Sequence, residues 1–390
     1  MSTDREGDAE LAMMARALKL AERGLYTTDP NPRVGCVLVQ GDEVVGEGWH
    51  RRAGESHAER LAIDAAGDAA RGATAYVTLE PCCHQGRTPP CTDALLQAGV
   101  GRVVVGMEDP NPIVHGRGLG RMRAAGVEVL TGVLEGPCQA LNPGFAKRMR
   151  LGLPLVRVKL AASLDGRTAM ASGESRWITS DAARSDVQWL RARSSAIVTG
   201  IGTVLADDPS LNVRLTPDAI PGLDDGEPVR QPLRVILDSS LRTPLSSRML
   251  PLPGATLIAT CCSDQRRIAA ATSAGAEVWV GPPDAAGQVE LEALLRYLAE
   301  REINEVLIEA GPTLAGAAVQ SRLVDELVVY LAPHLMGSDA RGLFRLNGIL
   351  AMSDRVPVEL IEVRQVGPDL RLRARLAGSG STSPDLPPVR

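Results

Sequence analysis

From residue 8 to residue 23 the apolar side chains of Leu11, Met14, Ala15, Leu18 and Ala21 recur at helical spacing and fall on one face, which predicts an amphipathic helix. The turn cluster Thr28-Asp29-Pro30-Asn31-Pro32 follows it. The apolar run 34–39 predicts a buried strand, and Gly41-Asp42 turns it into a second strand over 43–49. The pattern then alternates. Helices are predicted over 57–66, 92–98 and 118–125, and strands over 75–79, 102–106 and 127–130. Such alternation predicts an α/β unit with helices on a mainly parallel sheet.

A second alternating series begins near Pro154. Strands are predicted over 155–161, 196–199, 233–237, 256–260, 277–280, 305–308 and 325–331. Helices are predicted over 181–192, 291–302 and 312–320, and a closing hairpin over 358–366 and 370–376. The stretch 216–232 is rich in Pro, Gly and Asp and reads as a loop. Gly, Ser and Pro dominate from Gly378 onward, which predicts a disordered tail over 379–390. A helical stretch over 137–151 runs into Gly152-Leu153-Pro154, so the boundary between two domains is set at 1–150 and 151–378. The halves show no internal repeat.

Composition narrows the class. Lys plus Arg is 42 and Asp plus Glu is 47, a formal charge of −5, and only 3% of residues are aromatic. That leaves neither the basic footprint of a nucleic-acid binder nor platforms for stacking bases. No apolar run reaches the ~18 residues of a membrane span, and the polar start Met1-Ser2-Thr3-Asp4-Arg5-Glu6 has no apolar leader core behind it. These features predict a cytoplasmic protein with no membrane partner. The 7 cysteines are an odd number in a long chain, which argues against a disulfide framework.

Three of them, Cys82, Cys83 and Cys91, crowd together after His57-Ala58-Glu59. One His and two Cys supply three ligands for zinc and leave the fourth tetrahedral position open to water, as in catalytic zinc sites. Glu59 stands two residues beyond His57 at a helix start, where it can face the open position without being a ligand. This layout, H-x-E followed by P-C-x-x-C, belongs to zinc nucleobase deaminases. The spacing departs from that pattern, with eight residues between Cys82 and Cys91. Neighbouring cysteines converge poorly on one ion, and Cys91 precedes a helix whose N-terminus favours a thiolate. The ligand set is therefore read as His57, Cys82 and Cys91. Cys83 is the alternative, and Cys83 or His84 could complete a four-ligand structural site.

The segments 31–39, 54–59 and 81–91, with Gly86-Arg87-Thr88-Pro89-Pro90-Cys91, resemble the bifunctional riboflavin-biosynthesis deaminase/reductase family. So do Ser163-Leu164-Asp165-Gly166-Arg167-Thr168-Ala169, Gly173-Glu174-Ser175-Arg176-Trp177-Ile178-Thr179 and Thr203-Val204-Leu205-Ala206-Asp207-Asp208-Pro209 in the second half, and the stretch from Glu309 to Gly316. The matches run in order over about residues 10–376.

The resemblance implies an α/β fold in two domains. The first would be a cytidine-deaminase-like α/β/α sandwich and the second a dihydrofolate-reductase-like domain. It implies zinc-dependent deamination of 2,5-diamino-6-(5-phosphoribosylamino)pyrimidin-4(3H)-one, then NADPH-dependent reduction of the ribosyl group to ribityl. Glu59 would shuttle the protons and Asn31 would hold substrate, although Asn31 before Pro32 also suits a plain turn. His50 and His84 are further candidates for contacts to phosphate or pyrimidine.

In the second half neither Gly200-Ile201-Gly202 nor Gly311-Pro312-Thr313-Leu314-Ala315-Gly316 is a standard nucleotide loop: the first lacks the third Gly and the second lacks Lys-Ser/Thr. By resemblance Gly311, Pro312, Thr313, Leu314, Ala315, Gly316 and Ala317 bind the NADPH pyrophosphate, at what reads as a helix N-terminus. Ala161, Trp177, Thr203 and Asp207 map to its nicotinamide side. Ser175, Arg191, Leu211, Arg214 and Glu309 map to substrate, with the arginines suited to its phosphate. The expected partners are a small phosphorylated pyrimidine and a second copy of the chain, a dimer being favoured. The competing readings are a nucleic-acid or nucleoside base deaminase with an accessory domain, and a non-catalytic zinc module.

Overall fold

The computed structural model describes residues 2–85 and 89–377, with side chains from Gly7 onward. The predicted tail 379–390 and Gly86, Arg87 and Thr88 of the cysteine segment lie outside them. The chain forms two units. The first runs to Gly152 and also takes in Thr216–Pro228, and the second holds Leu153–Leu215 and the chain from Val229.

In chain order the first unit has α1 (Ser2–Glu22), β1 (Gly35–Gln40), β2 (Glu43–Trp49), α2 (Ala58–Ala66), β3 (Thr74–Leu79), α3 (Cys91–Ala98), β4 (Arg102–Met107), α4 (Arg117–Ala124), β5 (Glu128–Thr131), α5 (Glu135–Leu141) and α6 (Pro143–Leu151). Its five strands are ordered β2-β1-β3-β4-β5. Val37, Leu38, Val77, Val103 and Val105 are fully buried, as strands covered on both faces must be. The sheet is mixed rather than mainly parallel. β1 pairs antiparallel with both β2 and β3, while β3–β4 and β4–β5 are parallel. The tight turn at Gly41-Asp42 sets the β1–β2 reversal, since a two-residue connection can only reverse a strand. Helix α2 lies against β2 at Gly48, where a Cβ would come 2.2 Å from the Ala58 carbonyl oxygen. The missing side chain sets how closely the helix that carries Glu59 approaches the sheet.

The predicted helix over 137–151 is two helices. The Asn142 side chain bonds the Arg33 backbone at both ends, accepting its N–H at 2.8 Å and donating to its carbonyl at 2.9 Å, and Pro143 opens the new helix.

The second unit contains β6 (Leu155–Ser163), β7 (Arg167–Ala169), α7 (Asp181–Arg193), β8 (Ala196–Gly200), α8 (Ile201–Asp207), β9 (Leu233–Leu237), β10 (Thr256–Thr260), α9 (Gln265–Ser273), β11 (Glu277–Val280), α10 (Leu291–Glu300), β12 (Glu305–Glu309), α11 (Pro312–Gln320), β13 (Glu326–Ala332), β14 (Arg341–Gly342), β15 (Val358–Val366) and β16 (Asp369–Leu376). Its nine-stranded sheet is ordered β11-β10-β9-β8-β12-β6-β13-β16-β15. The strands from β11 to β13 are parallel, and β16 and β15 join antiparallel at one edge. Two apolar clusters, one around Val158, Leu294 and Ile308 and one around Val187, Ile236 and Leu307, fill the unit. Helices α8 and α9 were not legible in the sequence pattern. α8 is only two turns long, with Gly200 as its cap and Gly202 inside it, and four of the nine residues of α9 are alanine or threonine, so neither displays a clear apolar stripe.

Candidate active sites

His57 is the N-cap of α2, and its side chain makes no capping bond, which leaves the ring free to turn away from the helix. Cys82 follows β3, and Cys91 is the first residue of α3. These elements bring His57 Nδ1 to 3.2 Å from Cys91 Sγ and 3.6 Å from Cys82 Sγ. Two ligands at usual zinc distances and a tetrahedral angle stand about 3.6 Å apart, so this donor set fits zinc. Among the described residues it is the cluster of His, Cys or carboxylate groups spaced to hold a metal. Cys83 and His84 do not belong to it.

The α3 N-terminus points its Cys91 amide at Cys82 Sγ, 3.3 Å away. Hydrogen bonding to Cys91 and His57 outweighs burial and lowers the Cys82 thiol to about 4. Glu59, in the first turn of α2, is 3% exposed. Burial pushes its carboxyl up to about 7, against the pull of His57.

Asn31 lies beside His50, its Nδ2 3.0 Å from His50 Nε2. His50 Nδ1 is 3.1 Å from the Ser56 carbonyl oxygen. A carbonyl only accepts, so Nδ1 carries the hydrogen and Nε2 accepts from Asn31. Burial lowers His50 to about 4, consistent with a neutral ring. His84 is exposed.

Glu80 was missed by sequence reasoning. Its buried carboxylate accepts the backbone N–H groups of Asp109, Gly116, Gly118 and Leu119 at 2.9–3.2 Å. It thereby ties the segment after β4 to the strand end that leads into Cys82. The available signal was a lone carboxylate between an apolar strand and Pro81-Cys82.

In the second unit Arg191 of α7 grips Glu309, at the end of β12, with two hydrogen bonds of 2.7 and 2.9 Å. Arg191 also donates to the Asn212 carbonyl at 3.1 Å, and Arg214 donates to Asn212 Oδ1 at 3.3 Å. Lys159 of β6 stands opposite Glu309 in the strand register. Burial holds the Lys159 ammonium below its ordinary value, with Glu309 opposing and Arg191 adding to the shift. Burial alone would raise the Glu309 carboxyl, but Arg191 outweighs it and the net shift is downward. Three cations face one carboxylate, a local charge of 3 − 1 = +2. Lys159 was also missed; its signal was a lysine inside the apolar run 155–161. Leu211 is 3% exposed and belongs to the apolar core, which leaves it little surface for a ligand.

Thr203 and Asp207 stand one turn apart on α8. Arg176 donates to the Asp207 carbonyl at 2.5 Å, and the neighbouring Trp177 is exposed, with the Arg184 guanidinium 4.5 Å from its ring. Ser175 and Ala161 are half-buried. Gly311 caps α11 with Pro312 in its first turn. Gly311, Thr313 and Ala317 are exposed, Pro312 and Leu314 half-buried, and Ala315 and Gly316 buried. A Cβ on Gly316 would come 2.0 Å from the Arg345 carbonyl oxygen, so this glycine serves helix packing. The outward N–H groups of the first turn suit an anionic phosphate.

A family model described as the cytidine and deoxycytidylate deaminase zinc-binding region matches residues 8–107, and one described as the RibD C-terminal domain matches residues 154–372. The chain is 53% identical over 361 residues to the riboflavin biosynthesis protein RibD of Escherichia coli, covering 92% of this chain and 97% of that protein. It is 47% identical to its Haemophilus influenzae namesake, covering 93% and 96%. Among solved structures it is similar to form 1 of Acinetobacter baumannii RibD, with a TM-score of 0.87 and 46% identity over 95% of this chain and 99% of that one. A Thermotoga maritima diaminohydroxyphosphoribosylaminopyrimidine deaminase/5-amino-6-(5-phosphoribosylamino)uracil reductase gives a TM-score of 0.81 at 32% identity, covering 95% and 100%.

Proposed function

The chain belongs to the riboflavin biosynthesis protein RibD family, in which a zinc-dependent deaminase is joined to an NADPH-dependent reductase, and from that premise we propose how its residues divide the work. Residues 1–150 carry the deaminase chemistry and residues 151–378 the reductase chemistry. The first converts 2,5-diamino-6-(5-phosphoribosylamino)pyrimidin-4(3H)-one to the corresponding uracil and releases ammonia. The second reduces the ribosyl group of that product to ribityl. The observation that carries the reading is the convergence of His57 Nδ1, Cys82 Sγ and Cys91 Sγ beside a buried carboxylate that is not one of them.

His57, Cys82 and Cys91 would hold zinc, whose Lewis acidity makes water a nucleophile near neutral pH. Glu59 accepts a proton from the attacking water and delivers it to the ring nitrogen, then takes the proton of the newly added hydroxyl and passes it to the departing amine, which leaves a carbonyl and ammonia. Asn31 holds the pyrimidine, and the neutral His50 ring fixes the Asn31 amide through Nε2. The packed position of Glu59 keeps bulk water away from the carboxyl while the proton is in transit.

In the second unit NADPH supplies the hydride. Thr313 and Leu314 offer first-turn N–H groups to its pyrophosphate, and Ala161, Trp177, Thr203 and Asp207 lie on the nicotinamide side. Lys159, Arg191 and Arg214 attract the phosphorylated substrate, and Glu309 holds Arg191 and Lys159 in a fixed relation. Ser175 and Leu211 complete the substrate contacts.

The chain works in the cytoplasm, since the site needs free thiols and all seven cysteines are unpaired. It pairs with a second copy along β15, an edge strand that exposes Val358, Leu360 and Val363. Light scattering should therefore give twice 41.2 kDa, and a single-chain mass would remove the dimer. For the function itself, zinc-loaded chain given the diaminopyrimidine should release ammonia without NADPH, then oxidise NADPH when it is supplied. Zinc-loaded protein that releases no ammonia would overturn the reading.

A further inference from the structure

The segment Thr216–Pro228 leaves the second unit after Leu215 and returns to it at Val229, yet it belongs to the first. It packs on Trp49 at the end of β2 and on Arg51 and Arg52 at the start of the stretch that joins β2 to α2 and ends at His57. The guanidiniums of Arg23 and Arg51 lie 5.0 and 5.5 Å from the Trp49 ring. Gly222, at φ +78, closes on the edge of that ring. A Cβ there would come 2.6 Å from the ring and 2.5 Å from the Arg23 carbonyl oxygen. Arg51 pairs with Asp224 at 3.3 Å, and Arg52 pairs with both carboxylate oxygens of Glu227. Glu227 also accepts the Asp224 amide at 2.9 Å, which closes the strap on itself. Between the gripped residues sits His50, hydrogen-bonded to Asn31 on one side and to the Ser56 carbonyl, next to His57, on the other.

We propose that this strap is a positioning device for deamination: Gly222 and Glu227 hold the turn of Trp49, Arg51 and Arg52 so that His50 keeps Asn31 aimed at the pyrimidine. An isolated exposed ion pair holds little. Here a glycine-tight ring contact and two arginine pairs converge on consecutive residues around one histidine. The first unit thus borrows part of its substrate site from chain that lies within the reductase half of the sequence. A chain cut at residue 150 lacks it. The inference rests on the deaminase reading, and the test separates the two.

Full-length Glu227→Ala, Gly222→Val and the conservative Glu227→Gln are compared with wild type for ammonia release, zinc per chain, and NADPH oxidation on the deaminated substrate. Loosening the loop that aims a substrate contact should raise KM for the diaminopyrimidine about tenfold in Glu227→Ala and Gly222→Val, and less in Glu227→Gln, with kcat within about twofold. Zinc content and NADPH oxidation should stay at wild-type levels. Wild-type KM in both Glu227→Ala and Gly222→Val would overturn the inference, as would a fall in kcat accompanied by zinc loss, which marks a role in the fold alone. A wild-type chain that releases no ammonia would overturn the deaminase reading and this inference with it.

Discussion

Cys82 and Cys91 belong to one cluster but differ in what they bring to it. Cys91, as the first residue of α3, contributes a thiol and also an amide that bonds Cys82 Sγ. Replacing either by Ser removes a thiol from the proposed three-ligand set, so zinc and deaminase activity should be lost together. Cys83→Ser should keep both, because Cys83 stands outside the cluster. Metal analysis of the three proteins decides it, and a metal-free Cys83→Ser protein would contradict the assignment. The cluster was legible because its residue types and their flanking strand and helix signals are local. Glu80 and Lys159 were not, because their meaning lies in partners distant in sequence: the amides at 109–119 and the pair Arg191–Glu309.

At the scale of elements, the second unit is tied together by a run of buried charges. Glu305 of β12 binds Arg193 of α7 at 3.0 Å and Arg157 of β6. Arg157 reaches Glu326 of β13 at 2.8 Å, and Glu326 pairs with Arg373 of β16. Arg373 and Arg371 meet Glu362 of β15 at 3.2 and 2.6 Å, and Arg371 continues to Asp186 at 2.8 Å. The alternation Arg371-Leu372-Arg373 was legible as a strand. Burial of its charged face was not, since period-two patterning is the same for a solvated face and for a buried ion ladder.

Breaking such a pair strands its partners, at a cost of about 3–5 kcal/mol. Glu326→Gln should therefore melt roughly 6–20 °C below wild type near neutral pH. Burial alone would raise the Glu326 carboxyl, but Arg157 and Arg373 outweigh it and hold it below its ordinary value. Its stabilisation is complete above the unfolded value of about 4.3 and is lost as pH falls through the depressed folded one. Wild type should thus lose more stability than Glu326→Gln on acidification through that window. Parallel melting curves at every pH would contradict the ladder's role.

For the molecule as a whole, the alternation of strands and helices gave the α/β class, because it follows from local periodicity. The mixed sheet of the first unit and the membership of Thr216–Pro228 in it depend on long-range pairing, which a loop rich in Pro and Gly does not announce. One chain carries two chemistries at two sites, and the role proposed for Glu59 is a proton carrier at one of them and a ligand at neither. Glu59→Gln in the full-length chain tests this most directly. Zinc should remain at the wild-type ratio, ammonia release should fall by at least about 10²–10⁴-fold, and NADPH oxidation on the deaminated substrate should be unchanged. Loss of zinc, or deamination at most of the wild-type rate, would contradict it.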